Sequence, residues 1–343
     1  MNTPEASSAA ATQDAGTAAS AARPLVSVLL IAYNQERVIG DAVRSVLAQT
    51  WQPTEIIISD DCSRDGTYAA IEAAVRGYTG PHRVITRRNA ANEGISAHLS
   101  RLAGMAHGEL LFVAAGDDLS APDRCERVVQ FWLAHGRQPD LIATDLTSID
   151  HTGDARELIM PDDLSRYRID DWFEKRPFLV GAAHTWSRRL FERFGPMLPG
   201  TAAEDQIMTF RAIVTGGAMS LHEPLVRYRR GGLSGKRRYR SVAEMLARVQ
   251  QSNRFALSEA AQLQRDAEVA GLGDRMRRAL APKVAREQFI RAMFDARGIG
   301  ERLRLVFGKR DVKWGLRFRM LLHTTCPAIY APLLWAKRTF RKG

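Results

Sequence analysis

Two adjacent aspartates, Asp117 and Asp118, directly follow an apolar segment with the sequence ELLFVAAG. Carboxylates fixed at the end of a buried strand are the oxygen ligands that Mg²⁺ and Mn²⁺ prefer, and an ion held there can bridge to a diphosphate. Aspartate is also frequent in turns and helix caps, and Pro122 indicates that a helix starts soon afterwards. The two residues by themselves leave both interpretations open.

A second acidic cluster comprises Asp60, Asp61 and Asp65 in the sequence SDDCSRDGT, which also follows an apolar segment. A carboxylate at this place can accept a hydrogen bond from the imide N–H of uracil or thymine, whereas Asp65, before Gly66, is more simply a turn or cap residue. Tyr33 follows the first apolar segment and can stack on a base. The alternative for Tyr33 is a half-buried aromatic side chain at the sheet edge.

Glu204 and Asp205 open a predicted amphipathic helix that runs to about Thr215. Helix capping and compensation of the helix dipole are the default explanation for acidic residues at this position. The functional alternative is a general base, because an acceptor hydroxyl is a weak nucleophile until its proton is removed. The basic segment RYRRGG, residues 227–232, suits a diphosphate leaving group, and its alternative is a solvated loop.

Strands and helices alternate in the first part of the chain. Leu25–Ile31 reads LVSVLLI, which is typical of a strand buried on both faces. Further strands are predicted over 55–59, 82–86, 110–114 and 141–144, and helices over 38–47, 67–75, 96–106 and 123–133. This alternation predicts an α/β fold with βαβ units and a mostly parallel central sheet flanked by helices. Ligands bind beyond the carboxyl ends of such strands, where the first two acidic clusters lie.

The pattern becomes mixed after about Asp145, with a predicted turn at 151–154, surface structure at 168–177 and a strand at 180–186. A short helix follows from Ser187 and ends at Gly195, and beyond Ser241 the chain reads as helices interrupted at 271–273. The sequence contains no GxGxxG after the first strand and no GxxxxGK[ST], which argues against a dinucleotide-binding or P-loop enzyme.

Five sequence blocks occur in the order found in one family. They are VSVLLIAYNQERVIGDAVRSVLAQTWQPTEIIISDDCSRDGT, NEGISAH, GELLFVAAGDD, AAEDQIMTFR and EPLVRYRRGGLS. Over residues 24–234 the chain thereby resembles the family 2 glycosyltransferases of bacterial surface-polysaccharide synthesis. The resemblance implies the GT-A fold, which is a Rossmann-like α/β arrangement, and transfer of a sugar with inversion.

The resemblance also implies roles for individual residues. Asp118 is expected to hold a metal ion, Mg²⁺ or Mn²⁺, and Asp205 to act as the catalytic base, with Glu204 as the adjacent catalytic candidate. Residues expected to bind the nucleotide sugar are Ala32, Tyr33, Asn34, Asp61, Asn92, Asp117, Arg229 and Arg230. The implied donor is a nucleoside-diphosphate sugar of UDP or dTDP type, and the implied acceptor is a saccharide or lipid-linked saccharide.

Three positions depart from the family pattern. The family often has threonine or proline where Ile31 stands, asparagine where Ser100 stands and histidine where Arg230 stands. Ile31 is expected to affect only local packing. Arg230 keeps a hydrogen-bond donor for phosphate but leaves the contacts of the leaving group open.

Composition and the family resemblance together divide the chain into a predicted disordered tail over residues 1–22, a domain over 23–235 that the resemblance implies to be of GT-A type, and a helical, basic region over 236–343. The tail lacks aromatic residues, and it has neither the basic nor the apolar part of a secretory signal, so we predict a cytoplasmic protein. The three cysteines, Cys62, Cys125 and Cys326, show no disulfide or zinc spacing, which fits a reducing compartment.

Most of the net charge of +11 lies near the C-terminus, where residues 301–343 carry eleven Lys or Arg against two acidic residues. These basic residues stand beside apolar ones in WGLRFRMLLH and PLLWAKRTFRK, which favours contact with an anionic membrane surface at the inner face of the cell membrane. No nucleic-acid motif accompanies them, so we expect no nucleic-acid partner. The apolar stretch 320–336 is shorter than the roughly 20 residues of a spanning helix, so we predict an interfacial anchor, with core packing as the alternative.

Three rival functions are less consistent with the sequence. A nucleotidyltransferase normally carries a glycine-rich loop with arginine and lysine after its first strand, and AYNQERV lacks it. A basic nucleic-acid-binding protein is disfavoured by the apolar residues within the basic region. An inactive adaptor with the same fold would have no need to keep Asp61, Asp117, Asp118 and Asp205.

Overall fold

A computed structural model describes residues 23–150, 152–230, 239 and 241–331 of the 343-residue chain. The predicted tail over residues 1–22 lies outside this part of the chain, and so do Gly231, Gly232 and residues 332–343.

One mixed sheet organises the described residues. Its strands are β1 Val26–Ala32, β2 Thr54–Asp60, β3 Arg83–Arg88, β4 Leu110–Ala115, β5 Leu119–Ser120, β6 Leu141–Ile149, β7 Ala155–Ile159, β8 His184–Ser187 and β9 Ala218–Arg229. They lie in the order β3-β2-β1-β4-β8-β6-β9-β5, and β7 pairs with β6. The four strands from β3 to β4 are parallel, whereas β8 is antiparallel to both β4 and β6.

Helices alternate with these strands and then continue alone. They are α1 Ile39–Leu47, α2 Thr67–Val75, α3 Ile95–Met105, α4 Arg124–Ala134, α5 Ile169–Glu174, α6 Arg188–Phe194, α7 Glu204–Thr215, α8 Val242–Val269, α9 Gly273–Asp295, α10 Ile299–Gly308 and α11 Trp314–Thr325. The predicted α/β class with a helical C-terminal extension is confirmed. The parallel arrangement is limited to the first four strands and the pair of β6 with β9.

The central strands are buried on both faces, as their continuous apolar sequences predict. Along β1, Val28 and Leu30 face one hydrophobic cluster, and Leu29 faces another on the opposite side of the sheet. Side chains alternate across a strand, so each strand contributes to both clusters. The sheet is thereby fixed between two layers of helices, and its carboxyl edge is held in place by both cores.

The C-terminal helices extend one of these cores. Ala260 and Leu263 of α8 and Met276 of α9 belong to the same cluster as Ile207 and Phe210 of α7. The boundary predicted after residue 235 therefore separates segments that share buried side chains. None of the helices that the structure describes combines the length and the hydropathy of a membrane-spanning segment.

A buried ion pair joins α7 to α8. Arg211 Nε and Nη2 lie 2.8 and 3.1 Å from the two carboxylate oxygens of Asp266, and both side chains are fully inaccessible to solvent. Gln262 Nε2 donates to Asp266 at 2.8 Å, and Arg211 donates to the carbonyl of Gly195 at 2.9 Å. Because both charges are fully buried, removal of one leaves the other without its main counter-charge.

We therefore expect Arg211→Met to lower the free energy of unfolding by about 3–5 kcal/mol. Arg277→Met is the control, because Arg277 pairs with Asp274 at 2.6 Å on the surface and should contribute less than about 1 kcal/mol. Urea unfolding followed by circular dichroism measures both variants. Equal destabilisation by the two substitutions would contradict the role assigned to the buried pair.

Two elements differ from the sequence-based predictions. Residues 168–177, predicted as surface structure, contain α5, which buries Trp172 in the core. Strand β9 was not predicted, because its sequence AMSLHEPLVRYR is half exposed and includes Pro224. The pairing of β6 with β9 shifts register on either side of Asp145, which faces Pro224, and proline lacks the N–H that a regular ladder needs.

Candidate active site

The carboxyl ends of β1, β2 and β4 meet at one edge of the sheet. Ala32 is in register with Asp60, and the amide of Asp61 donates to the carbonyl of Ala32 at 2.9 Å. The amide of Gly116 donates to the carbonyl of Ile31 at the same distance. The sheet therefore brings together three of the sequence segments that were assigned chemical roles.

Asp61 is buried and holds the segment 92–94 against this edge. Its Oδ1 accepts from Asn89 Nδ2 at 2.7 Å and from the amide of Glu93 at 2.9 Å, and its Oδ2 accepts from the amide of Gly94 at 2.9 Å. Asn92 Nδ2 donates to the carbonyl of Asp61 at 3.2 Å. A carboxylate oxygen has two acceptor positions, so Oδ2 retains one for a ligand N–H.

The neighbouring Asp60 is used inside the protein. It is fully buried, and it pairs with Arg88 at 3.0 Å and accepts hydrogen bonds from the amide and hydroxyl of Ser63. The pair of aspartates is thus divided between a structural residue, Asp60, and a residue that reaches the edge, Asp61.

Tyr33 and Asn34 form the turn after β1. Asn34 has a positive φ of 52°, a conformation that asparagine tolerates better than most residues. Its amide donates to Ser63 Oγ at 2.8 Å, and its Oδ1 accepts from the amide of Arg64 at 2.9 Å. Asn34 therefore ties this turn to the one after β2, and Tyr33 is half-buried beside it.

Asp117 and Asp118 follow β4 and differ in their surroundings. Asp118 Oδ1 accepts from the amide of Arg229 at 2.8 Å, whereas its Oδ2 is buried without a hydrogen-bond partner among the described residues. Burial, followed by the nearby Asp117, raises the pKa of the Asp118 carboxyl to about 8. Burial also raises the pKa of Asp117. Two crowded carboxylates with an unsatisfied oxygen form a place where a cation would be stabilised.

These residues fit a divalent metal ion. In the described ranges no group of three or more His, Cys, Asp or Glu side chains is placed to enclose a metal. Mg²⁺ typically binds through one or two carboxylates and completes its shell with water and substrate phosphates. A pair such as Asp117 and Asp118 matches that mode better than it matches a closed structural metal site.

The two arginines of the basic segment point to different places. Arg229 Nε donates to the carbonyl of Asp117 at 3.2 Å, and its Nη1 donates to the carbonyl of Asp150 at 2.8 Å. Arg230 forms an ion pair with Glu157, and both side chains are more than half exposed. The structure therefore brings Arg229 to the acidic pair and leaves Arg230 at the surface beside β7.

Glu204 and Asp205 lie in the first turn of α7. The helix is capped at Ala203 without a side-chain hydrogen bond, and Asp205 Oδ1 accepts from the amide of Gln206 at 2.7 Å. Burial and the adjacent Asp205 raise the pKa of Glu204 to about 8, and burial raises the pKa of Asp205. A raised pKa brings a carboxylate closer to the range in which it accepts a proton efficiently at neutral pH.

The segment 181–184 connects these carboxylates to the rest of the site. The fully buried Arg124, which follows the Asp117–Asp118 turn, donates to the carbonyls of Ala182 and His184 at 3.2 and 3.3 Å. A Cβ atom on Gly181 would lie 2.9 Å from Glu204 Oε1 and 3.3 Å from Asp205 Cβ. The backbone at Gly181 therefore packs directly on both candidate bases, Glu204 and Asp205.

We expect Gly181→Ala to lower turnover by about 10-fold or more, because the added methyl must displace Glu204 or shift the start of α7. Gly104→Ala is the control, since Gly104 lies in α3 with open space around it. Steady-state kinetics of both variants test this expectation. An unchanged rate in Gly181→Ala would show that α7 tolerates the displacement.

Four residues of the site were not predicted from the sequence. Gln35 accepts from the amide of Tyr33 at 3.2 Å and hydrogen-bonds Asp117, and Asn89 donates to Asp61. Arg124 donates to the carbonyl of Ala182, and the neighbouring Gly181 packs on Glu204. Only Gln35 carried a signal, because it lies in the block AYNQERV, whereas the others depend on contacts between distant segments.

Comparison with known proteins finds a matching family and proteins of similar sequence. The model of the family described as "Glycosyl transferase family 2" matches residues 27–195. EpsE of Bacillus subtilis, whose name assigns it to the glycosyltransferases, is 32% identical over 138 residues, which are 40% of this chain and 49% of EpsE. The succinoglycan biosynthesis protein ExoO of Rhizobium meliloti is 28% identical over 243 residues, or 65% of this chain and 66% of ExoO. The chain thus spans less than two thirds of the length of these relatives.

Solved structures show the same fold. TarS of S. aureus superposes with a TM-score of 0.54 and 14% identity, covering 92% of this chain and 53% of TarS. Its fragment 1–349, solved with UDP-GlcNAc, gives a TM-score of 0.52 and 16% identity, with 92% of both chains covered. GalNAc-T7, solved with UDP, GalNAc and Mn²⁺, gives a TM-score of 0.51 and 17% identity over 77% of this chain and 58% of that one.

Proposed function

We propose that this chain, which belongs to glycosyl transferase family 2 through its residues 27–195, transfers a sugar from a nucleoside-diphosphate sugar to an acceptor hydroxyl with inversion. The observation that carries the proposal is the unpartnered, buried Oδ2 of Asp118 at the carboxyl edge of the sheet. Asp61 directly follows β2, which lies two strands away from β4 along this edge. A diphosphate held near Asp117 and Asp118 would extend its nucleoside towards Asp61 and Tyr33.

The donor's base is proposed to bind between Tyr33 and Asp61. Asp61 Oδ2 would accept the imide N–H that uracil and thymine share, which favours a UDP or dTDP sugar. Ala32 ends β1 and Asn34 lies in the turn that follows it, and Asn92 holds the carbonyl of Asp61. TarS has been solved with UDP-GlcNAc and with UDP, which is consistent with a uridine nucleotide on this fold.

The diphosphate is proposed to bind with Mg²⁺ or Mn²⁺, held by Asp118 and supported by Asp117. The ion would neutralise charge on the leaving nucleoside diphosphate. The guanidinium of Arg229 is already fixed to the carbonyls of Asp117 and Asp150 and adds positive charge close to the pair. Arg230 would have to leave Glu157 before it could contact the phosphate, so we assign it a smaller part.

The transfer step is proposed to depend on Asp205. Its carboxylate would accept the proton of the acceptor hydroxyl while that oxygen bonds to the anomeric carbon of the donor sugar. The bond from the anomeric carbon to the diphosphate oxygen breaks on the opposite face, which gives inversion. Glu204 is more deeply buried than Asp205 and is proposed to keep the start of α7 in position against Gly181.

The acceptor is proposed to be a saccharide or a lipid-linked saccharide in bacterial surface-polysaccharide synthesis. ExoO is named for succinoglycan biosynthesis, and TuaG of Bacillus subtilis for teichuronic acid biosynthesis. A lipid-linked acceptor would explain a basic C-terminal region, so we also propose that the chain works at the inner face of the cell membrane. A nucleotidyltransferase remains the alternative enzyme, and it would release pyrophosphate rather than a nucleoside diphosphate.

A donor panel tests the proposal. UDP-, dTDP-, GDP- and ADP-sugars are each incubated with the protein, with Mn²⁺ and with excess EDTA, and release of the nucleoside diphosphate is measured. Slow hydrolysis of one or two UDP or dTDP sugars that requires the metal is the expected result. Release of pyrophosphate, or no binding of any nucleotide sugar, would contradict the proposal.

A further inference from the structure

The helices α10 and α11 present large apolar side chains to solvent. Ile299, Leu303 and Phe307 follow one another at intervals of four residues along α10, and Trp314 and Phe318 do so along α11. These five side chains, which we call the apolar stripe, are between 38% and 64% exposed. Residues four apart lie on the same side of a helix, so each helix contributes a continuous row.

The two rows join into one surface. The ring centroids of Phe307 and Trp314 are 5.8 Å apart across the connection between the helices. Val306 of α10 and Met320 of α11 are buried, and they pack with Phe289 and Met293 of α9. Each helix is thus fixed by buried residues and leaves the apolar stripe exposed, with the Arg317 guanidinium 4.7 Å from the centre of the Trp314 ring. Contiguous exposed apolar surface of this kind marks an interaction site.

Basic residues accompany the apolar stripe in both helices and in the connection between them. Lys309, Arg310 and Lys313 lie in the connection between the helices, Arg304 lies on α10 and Arg319 on α11. All five are exposed, and none forms an ion pair within the described ranges. Between residues 299 and 325 the chain carries seven Lys or Arg against Glu301 and Asp311. Phe and Trp flanked by Lys and Arg form the pattern of a segment that lies in the headgroup region of an anionic bilayer.

We propose that the apolar stripe, with the basic connection 309–313, is the surface by which this protein docks on anionic lipid bilayers. This makes specific the membrane contact proposed above, and it places that contact earlier in the chain than the stretch 320–336. Met320 and His323 are buried, so core packing accounts for them, and residues 332–336 lie outside the described part of the chain. Charge complementarity favours a bilayer over a second copy of this chain, since two such surfaces would repel each other.

Co-sedimentation with lipid vesicles tests the docking surface without donor or acceptor, so its failure is distinct from a failure of glycosyl transfer. The full chain is mixed with phosphatidylcholine vesicles and with vesicles that also contain phosphatidylglycerol. We expect binding only to the anionic vesicles and weaker binding as salt is added. A full chain that ignores anionic vesicles at low salt would overturn the proposal.

Two sets of variants separate the apolar and charged contributions. The substitutions Leu303→Gln, Phe307→Gln and Phe318→Gln together should lower the partition coefficient by about 10-fold or more. Lys309→Gln, Arg310→Gln and Lys313→Gln together should lower it by about 10²-fold at low salt. The apolar control changes Leu158, Met160 and Phe178, which are equally exposed elsewhere, and the charge control changes Arg76, Lys175 and Arg278. Thermal unfolding by circular dichroism checks that each variant is folded.

Two other occupants of the apolar stripe, a second copy of this chain and the chain's own last residues, would give different results. If the apolar stripe binds a second copy of this chain, sedimentation velocity will show a dimer that the triple substitution of Leu303, Phe307 and Phe318 converts to a monomer. Vesicle binding will then be the same in this variant and in the unmodified chain. If the intact chain fails to bind vesicles but a chain that ends at residue 331 binds them, the chain's own last residues cover the stripe. Either result would overturn docking of the intact protein on a bilayer.

Discussion

Replacement of Asp205 by asparagine is expected to lower turnover by about 10²- to 10⁴-fold while donor affinity stays nearly unchanged. Asparagine keeps the shape of the side chain and its hydrogen bond from Gln206, but it cannot accept the proton of the acceptor hydroxyl. In the proposed function, donor affinity is set by Asp61, Tyr33 and the metal ion at Asp118, none of which belongs to α7. Single-turnover rates and donor titrations measure the two quantities separately.

Glu204→Gln is the matched control for Asp205→Asn. Adjacent residues of a helix point about 100° apart, so both carboxylates cannot face the acceptor equally. A smaller, mixed effect is expected for Glu204→Gln, because its contact with Gly181 positions α7. If Glu204→Gln is inactive and Asp205→Asn nearly normal, the two roles are exchanged; normal rates in both place the base elsewhere.

The pH dependence of turnover offers an independent check on the base. Burial raises the pKa of Asp205 above its ordinary value, and the base must be deprotonated to work. Turnover should therefore fall as the pH is lowered through this raised value, and it should be retained above it. Loss of this acidic limb in Asp205→Asn, beside a lower plateau, is the expected signature.

Asp118→Ala is expected to lower transfer by at least about 10³-fold and to remove the dependence of donor binding on Mn²⁺. The substitution deletes the unpartnered oxygen, and the amide of Arg229 loses its acceptor. Donor titration by calorimetry with and without Mn²⁺, together with initial rates, tests this prediction. Removal of the metal by EDTA should lower the rate of the unmodified protein to a similar level.

The control for Asp118→Ala is another buried aspartate at the opposite edge of the sheet. Asp140 precedes β6, where it binds Arg189 and accepts from Ser187 Oγ at 2.7 Å. Asp140→Ala should lower stability and leave the effect of Mn²⁺ on donor affinity unchanged. Full activity of the unmodified protein in excess EDTA would contradict the metal assignment.

The sequence predicts the first half of the fold well because its elements follow simple periodicities. The predicted helix over 67–75 coincides with α2, and the predicted strand over 110–114 differs from β4 by one residue. Strand β9 could not be predicted, since it is half exposed and its position depends on pairing with β6, far away in the chain. Helix α5 was missed because one buried tryptophan, Trp172, fixes it.

The candidate site likewise contains some residues that could be located from the sequence and others that could not. Asp61, Asp117 and Asp118 could be located from the sequence because they end buried strands, which must meet at one edge of a parallel sheet. The different positions of Arg229 and Arg230 could not be predicted from the sequence, because they depend on Glu157 of β7 and on the carbonyl of Asp150. Gly181 likewise has no local signal, since its close neighbour Glu204 lies 23 positions later in the chain.

The order of elements along the chain has a consequence for how such proteins diversify. Apart from Arg229 and Arg230, the residues proposed for the nucleotide all precede Cys125 and lie at or beyond the ends of the four parallel strands, whereas the proposed base and the helices beside it follow residue 180. One crossing contact between these halves, from Arg229 to Asp118, uses a backbone amide and so tolerates a change of side chain. A genetic crossover between residues 125 and 180 would therefore join one donor preference to another acceptor preference if the two halves also match in the core that they share, where Leu111 and Val113 of β4 pack with Trp186 and Phe210.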